Sequence, residues 1–159
     1  MILLNVSIAN SNNIFNCLMD STYKDENYGV NVLWTQGISY NKNENYANFH
    51  YFNIDIGYRI KHNQEVGLSV GDDNLIWYGA YYRFYFEDNT NIGLKIAKND
   101  GVKYFNFYNE LTLGKDFKIT NNCYFRTQIF YSMISKYPFG IINNRNNKFG
   151  ILLGISYIE

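Results

Sequence analysis

The stretch FNIDIGYRIKHNQEVGLSV, residues 52–70, decides the fold of this chain. In its first half apolar residues such as Ile54 and Ile56 occupy every second position, with polar residues or glycine between them. Successive side chains of a β-strand point to opposite faces, so this period of two predicts a strand with one apolar face. After the polar triplet 62–64 the alternation resumes, which predicts a second strand folded back on the first as a hairpin.

The same alternation recurs in six further segments between polar turns, which makes eight predicted strands in all. The predicted strands run over about 28–40, 47–61, 65–71, 76–87, 92–97, 104–119, 124–133 and 149–157. The 159 residues suffice for one such sheet, assigned to residues 28–159, and leave no room for a second domain. An even number of strands joined by short turns predicts an all-β, eight-stranded antiparallel up-and-down barrel.

Composition and charge exclude several classes of protein. The formal net charge is zero and there is no basic cluster, so nucleic acid is not an expected partner. Aromatic residues make up 19% of the chain and there is a single proline, which suits a sheet with a broad amphipathic rim. No run of 18 apolar residues occurs, so a membrane would be crossed by strands and not by a helix.

The glycines indicate which face of the sheet is inside. Alternation alone does not, because a soluble lipocalin-like barrel has its apolar face inward. Ten of the twelve glycines lie on the polar face. Glycine in a strand interior costs roughly 0.5–1 kcal/mol relative to alanine, and a crowded interior gives a reason for it that a water-facing surface does not. We therefore predict a transmembrane barrel with a polar interior, and a soluble lipid-binding barrel is the alternative.

Charged residues on the polar face are expected to form a paired network inside the barrel, because charges cut off from water need partners. The glycines are expected to make room for the long cationic side chains. An eight-stranded barrel leaves space only for side chains, so the network should close the lumen. The predicted members are Asp55, Arg59, Glu65, Arg83, Glu87, Lys95, Glu110 and Arg126.

Aromatic residues toward the strand ends of the apolar face predict a lipid-facing girdle at the two membrane interfaces. The predicted girdle residues are Tyr28, Trp34, Tyr40, Tyr58, Tyr131 and Tyr157.

The N-terminal residues MILLNVSIANSNN contain an apolar run that is typical of the end of a secretory signal peptide. Residues 1–27 are assigned to a signal-peptide remnant and N-terminal segment, and an ordinary N-terminus is the alternative. Two cysteines, Cys17 and Cys123, allow either one disulfide in an oxidising compartment or two unpaired thiols.

Residue patterns for catalysis are scarce. The two histidines, His50 and His62, lie twelve residues apart along or beside one strand, too far to share a metal ion. No glycine-rich phosphate loop or nucleophile elbow occurs. We predict no catalytic residue, no metal ligand and no cofactor.

Three segments, residues 57–70, 113–130 and 150–159, resemble the small eight-stranded outer-membrane β-barrels of Gram-negative bacteria, the opacity-type and outer-membrane-protein-A-like group. The resemblance extends over about residues 28–158 and lies in pattern and turn spacing. It implies a location in the bacterial outer membrane, surrounded by lipid bilayer and lipopolysaccharide, and a non-enzymatic structural or surface-interaction role. The alternative within this architecture is a lipid-modifying enzyme of the lipid A acyltransferase or deacylase type. The loops expected to face outward are 41–46, 72–74, 98–101 and 136–146.

Overall fold

The structure is a computed structural model that describes residues 29–42, 44–61, 63–72, 76–99, 107–135 and 147–159. The predicted signal-peptide remnant 1–27 lies outside the described residues, as do Tyr28 and His62. The loop predictions fall partly or wholly outside these residues as well.

The described residues form eight antiparallel strands, each paired with its neighbours in sequence, and the last strand pairs with the first to close a barrel. This confirms the predicted eight-stranded antiparallel up-and-down fold. The strands are β1 (Gly29–Asn41), β2 (Tyr46–Lys61), β3 (Gln64–Asp72), β4 (Ile76–Tyr85), β5 (Thr90–Asn99), β6 (Phe107–Lys118), β7 (Cys123–Ser135) and β8 (Lys148–Ile158).

The pairing register sets how narrow the barrel is. Each residue has a partner on the next strand, and the partners can be traced from strand to strand around the barrel. The path that starts at Gly29 of β1 comes back to β1 at Ser39, ten residues further along the strand. This offset of ten residues is the shear, and with eight strands it means strands tilted by roughly 35–45° around an interior just wide enough for side chains.

The two ends of the barrel differ in their connections. The β2–β3, β4–β5 and β6–β7 turns leave one end, where β1 also begins and β8 ends; we call this the turn end. The other four connections leave the opposite end, which we call the loop end.

The two faces of the sheet have opposite chemistry. In the β2–β3 hairpin Ile56 pairs with Leu68, and these side chains are 53% and 71% exposed on the outer surface. Asp55 and Glu65, on the other face, are at most 1% exposed. An apolar exterior around a polar interior is the arrangement of a transmembrane barrel and the reverse of a lipocalin. Among the described residues no helix is long and apolar enough to span a membrane.

The predicted girdle residues do not all lie toward strand ends. Tyr58 and Tyr157 lie near the turn end, and Tyr40 and Tyr131 lie near the loop end. Trp34 is exposed on the outer surface in the middle of β1, where it pairs with Ile54 and Ile155 of the adjacent strands, so the structure does not place it in an interfacial ring.

Candidate functional site

The buried interior contains four cationic and four carboxylate side chains among the described residues, each at most 4% exposed. Strand alternation directs all of them inward, because each occupies the parity opposite to the lipid-facing side chains. They are Arg59, Arg83, Lys95, Arg126, Asp55, Glu65, Glu110 and Asp116.

The register places several of these charges directly opposite one another on adjacent strands. Glu65 of β3 is the partner of Arg83 of β4, and Lys95 of β5 is the partner of Glu110 of β6. Directly opposite residues on one face of a sheet are close enough for their side chains to interact. Ion pairing in the interior is therefore built into the strand pairing.

Glu65 is the most highly coordinated of the carboxylates. Its Oε1 accepts hydrogen bonds from the Tyr81 hydroxyl at 2.6 Å and from Nη1 of Arg83 at 2.8 Å. Its Oε2 accepts hydrogen bonds from Nδ2 of Asn31 at 2.6 Å and from the Tyr85 hydroxyl at 2.7 Å. A carboxylate offers about four acceptor sites, so the hydrogen-bonding capacity of Glu65 is filled.

Asp55 joins the same arginine to a second cation. Nη2 of Arg83 donates to Asp55 Oδ2 at 2.7 Å, so one guanidinium bridges two carboxylates. Asp55 Oδ1 accepts from Nδ2 of Asn53 at 2.9 Å and from the Ser69 hydroxyl, and it lies 3.6 Å from Nζ of Lys95. Lys95 therefore extends the network toward the loop end.

Glu110 ends the network on the loop side. Nζ of Lys95 lies 3.1 Å from Glu110 Oε1 and 4.4 Å from the centre of the Trp77 ring, a cation–π distance. The hydroxyls of Tyr51 and Tyr108 both donate to Glu110 Oε2, the latter at 2.6 Å. The carboxylate is thus held between an ammonium group and two phenols.

A bidentate pair ends the network on the turn side. Nε and Nη2 of Arg126 donate to the two carboxylate oxygens of Asp116, its partner across β6 and β7. Nη2 of Arg126 also donates to the Tyr85 hydroxyl at 2.9 Å, and Tyr85 in turn donates to Glu65. Hydrogen bonds and ion pairs therefore connect Asp116 to Glu110 without interruption along the interior.

The predicted membership of the interior charge network needs two corrections. Glu87 does not belong to the interior: β4 ends at Tyr85, the amide of Phe86 donates to the Thr90 carbonyl, and Glu87 is exposed in the turn that this bond closes. Asp116 was missed, although it continues the inward parity of Glu110 along β6. That parity was the available signal.

The interior glycines make room for aromatic rings more than for cations. A Cβ atom at Gly71 would collide with the Trp77 ring, and one at Gly57 with the Tyr81 hydroxyl. At Gly93 the nearest side-chain atom is the Thr112 hydroxyl, and Nε of Arg83 lies 3.8 Å from the position of a Cβ.

A hydrophobic cluster, in which four of the side chains are aromatic, fills the interior toward the loop end and is absent from the predictions made from the sequence. The Trp77 and Tyr108 rings stack at 5.0 Å with an interplanar angle of 3°, and the centres of the Tyr51 and Phe130 rings lie 4.7 Å apart. The signal was present, because Trp77 has the parity of the interior glycines. The cluster comprises Tyr51, Trp77, Ala97, Tyr108, Phe130, Ile134 and Leu152.

This arrangement can close the lumen, and it offers few functional groups for chemistry. The acidic groups are engaged by cations or phenols, and the rings occupy the space above them. In the part of the chain that the structure describes, no three side chains of the metal-binding types come together.

Comparison with known proteins identifies the fold. No protein-family model matches the chain, and no curated protein matches it in sequence. Among solved structures, the crystal structure of Neisserial surface protein A (NspA) superimposes with a TM-score of 0.53 over 84% of this chain and 98% of that chain. The likeness is one of fold. At 14% identity it places the chain in the coarse class of small eight-stranded barrels, and membership of the opacity-type group remains a proposal.

Proposed function

We propose that this chain is a non-enzymatic barrel of the bacterial outer membrane whose lumen is closed by its own side chains. Its role is structural or one of surface interaction, carried by the connections at the loop end. The observation that carries the proposal is the unbroken network from Asp116 to Glu110, with four positive and four negative groups among the described interior residues.

Three further observations support the location. The apolar outer face suits contact with the lipid bilayer and with the acyl chains of lipopolysaccharide. Cys123 is disulfide-bonded, and disulfides form and persist in oxidising compartments such as the periplasm. The other cysteine of the chain, Cys17, lies outside the described residues. NspA, which shares the fold, is named as a surface protein.

Planar-bilayer recording tests the closed lumen. The wild-type protein should show no steady, large conductance, because paired side chains fill the cross-section. Heat-modifiable migration of the protein recovered from the same reconstituted membranes is the control, because it shows that folded barrels are present when no conductance is recorded. A steady, large conductance of the wild-type protein would contradict the proposal.

Incubation of the purified protein in detergent with labelled lipid A and phospholipid tests the non-enzymatic role. Neither labelled lipid should lose or gain an acyl chain. Turnover above that of a heat-unfolded sample would replace this proposal with the lipid-modifying alternative.

A further inference from the structure

Among the interior arginines that the structure describes, Arg83 and Arg126 each donate hydrogen bonds to a carboxylate, whereas Arg59 donates none. Its side chain is buried, yet its Nε has no hydrogen-bond partner, and its closest carboxylate contact is 3.6 Å to Glu65 Oε2, longer than a hydrogen bond. Glu65 already accepts four other hydrogen bonds. The guanidinium is held by its position over the Tyr85 ring, 4.1 Å from the ring centre.

The guanidinium lines a cavity of about 690 Å³ at the turn end. The β2–β3 turn contributes Asn63, whose buried Oδ1 also has no hydrogen-bond partner. The exposed β4–β5 turn, residues 86–89, forms the rim, so the cavity reaches the surface. Arg59 and Asn63, each with a buried polar atom that has no hydrogen-bond partner, thus line the same cavity. Buried polar groups usually have a partner, and a ligand with matching donor and acceptor groups would supply one here.

The rim carries limited opposing charge. Hydrogen bonds from the side chain and the amide of Thr90 hold the pKa of Asp88 at about 2, and Nζ of Lys115 lies 3.1 Å from its Oδ2. Asp88 is therefore ionised but compensated. Of the acidic residues that line the cavity, Glu87 remains, and it is exposed to solvent.

We propose that this cavity is a binding site for a small carboxylate that also carries an N–H donor, as the terminal residue of a peptide does. The carboxylate pairs with the guanidinium of Arg59, whose planar fork of donors matches carboxylate geometry. The N–H group donates to Asn63 Oδ1. That the ligand arrives from the periplasm rests on the proposed function; the binding itself does not.

Arginine-selective NMR in detergent micelles tests the site directly. The chain has four arginines, so the Nε–H spectrum of protein labelled with ¹⁵N-arginine is simple, and Arg59→Gln identifies the Arg59 signal. Titration with N-acetylglycine should shift the Arg59 signal in a saturable manner and leave the Arg83 and Arg126 signals in place. The probe N-acetylglycinamide, which has no carboxylate, should shift none of them.

A matched pair of variants keeps the test decisive. Arg59→Gln should weaken N-acetylglycine binding about tenfold or more, measured by calorimetry, because it removes a charge-assisted hydrogen bond to the carboxylate. Lys61→Gln removes an exposed cation from the same strand end and should bind as the wild type does. An unchanged Arg59 signal, equal responses to the two probes, or equal binding by both variants would show that water alone fills the cavity and would overturn the proposal. None of these outcomes depends on the location of the protein or on conductance.

Discussion

Replacing Glu65 with alanine should destabilise the barrel more than any other single loss of a carboxylate, because four donors converge on this group. The substitution leaves the hydroxyls of Tyr81 and Tyr85 and the amide of Asn31 without their acceptor. It also removes one of the two carboxylates that Arg83 bridges.

The magnitude follows from what remains after the substitution. Each unsatisfied buried donor costs about 1–3 kcal/mol when nothing replaces its acceptor. Arg83 keeps its bond to Asp55, and water can enter the space that the carboxylate leaves, so the four costs do not add in full. We expect a loss of about 3–5 kcal/mol in the free energy of unfolding, the range for breaking a buried ion pair from one side.

This loss is measured by urea unfolding in detergent micelles, in which heat-modifiable migration on a gel gives the folded fraction at each urea concentration. Glu87→Ala is the matched control: it is the same substitution at an exposed turn position, and it should change the free energy of unfolding by no more than about 0.5 kcal/mol. If Glu65→Ala stays within about 1 kcal/mol of this control, Glu65 does not organise the network and the reasoning fails.

Three further predictions concern the outer face of the barrel, the ring packing toward the loop end and the ion pair on the turn side. Ile56→Arg should cost roughly 2–4 kcal/mol in bilayer-inserted protein if this outer face meets hydrocarbon, and labelling of Ile56→Cys by a water-soluble thiol reagent in intact membranes would contradict that. Gly71→Ala should lower the urea midpoint more than Gly93→Ala, because the added methyl group meets a ring and a backbone carbonyl at the first site and mainly a threonine hydroxyl at the second; equal midpoints would argue against ring packing. Asp116→Ala should cost about 3 kcal/mol, the lower end of the range for breaking a buried ion pair and less than Glu65→Ala, because two residues and not four lose their acceptor. The double variant Asp116→Ala/Arg126→Ala should cost less than the two single losses added together, and full additivity in this double-mutant cycle would mean that the pair is not coupled.

The features that follow from strand alternation could be predicted from the sequence. The period of two in residues 52–70 fixes which side chains of β2 and β3 share a face, and the glycines on the polar face correctly indicate that this face is the crowded interior. The placement of Asp55 and Glu65 inside needs nothing more than parity. Glu87 was assigned wrongly because the alternation of residue types continues in the sequence beyond Tyr85, although backbone hydrogen bonds of the turn end the strand there.

Pairing between adjacent strands requires the register, which alternation does not supply. Asp116 and Arg126 are ten positions apart in sequence and become opposite one another only for one particular length of the β6–β7 turn. A slip by a single residue would turn every side chain of one strand to the other face. The register is therefore set by the whole apolar face together with the turn, and it cannot be predicted from the positions of the charged residues alone.

Contacts across the lumen are a step further from the sequence, because they join strands that are not neighbours in the sheet. Arg126 of β7 donates to Tyr85 of β4, and Tyr51 of β2 donates to Glu110 of β6. No hairpin contains both members of either contact, so these bonds can form only after the sheet has closed. They stabilise the closed barrel relative to an open sheet, whereas the pair Lys95–Glu110 can form within one hairpin. We therefore expect Tyr85→Phe, which removes a hydroxyl that bridges the lumen, to accelerate unfolding and leave the rate of hairpin formation unchanged. Time-resolved unfolding in detergent measures the unfolding rate, and time-resolved refolding measures the formation of the hairpins. An unfolding rate equal to that of the wild type would show that closure does not depend on the cross-lumen bonds.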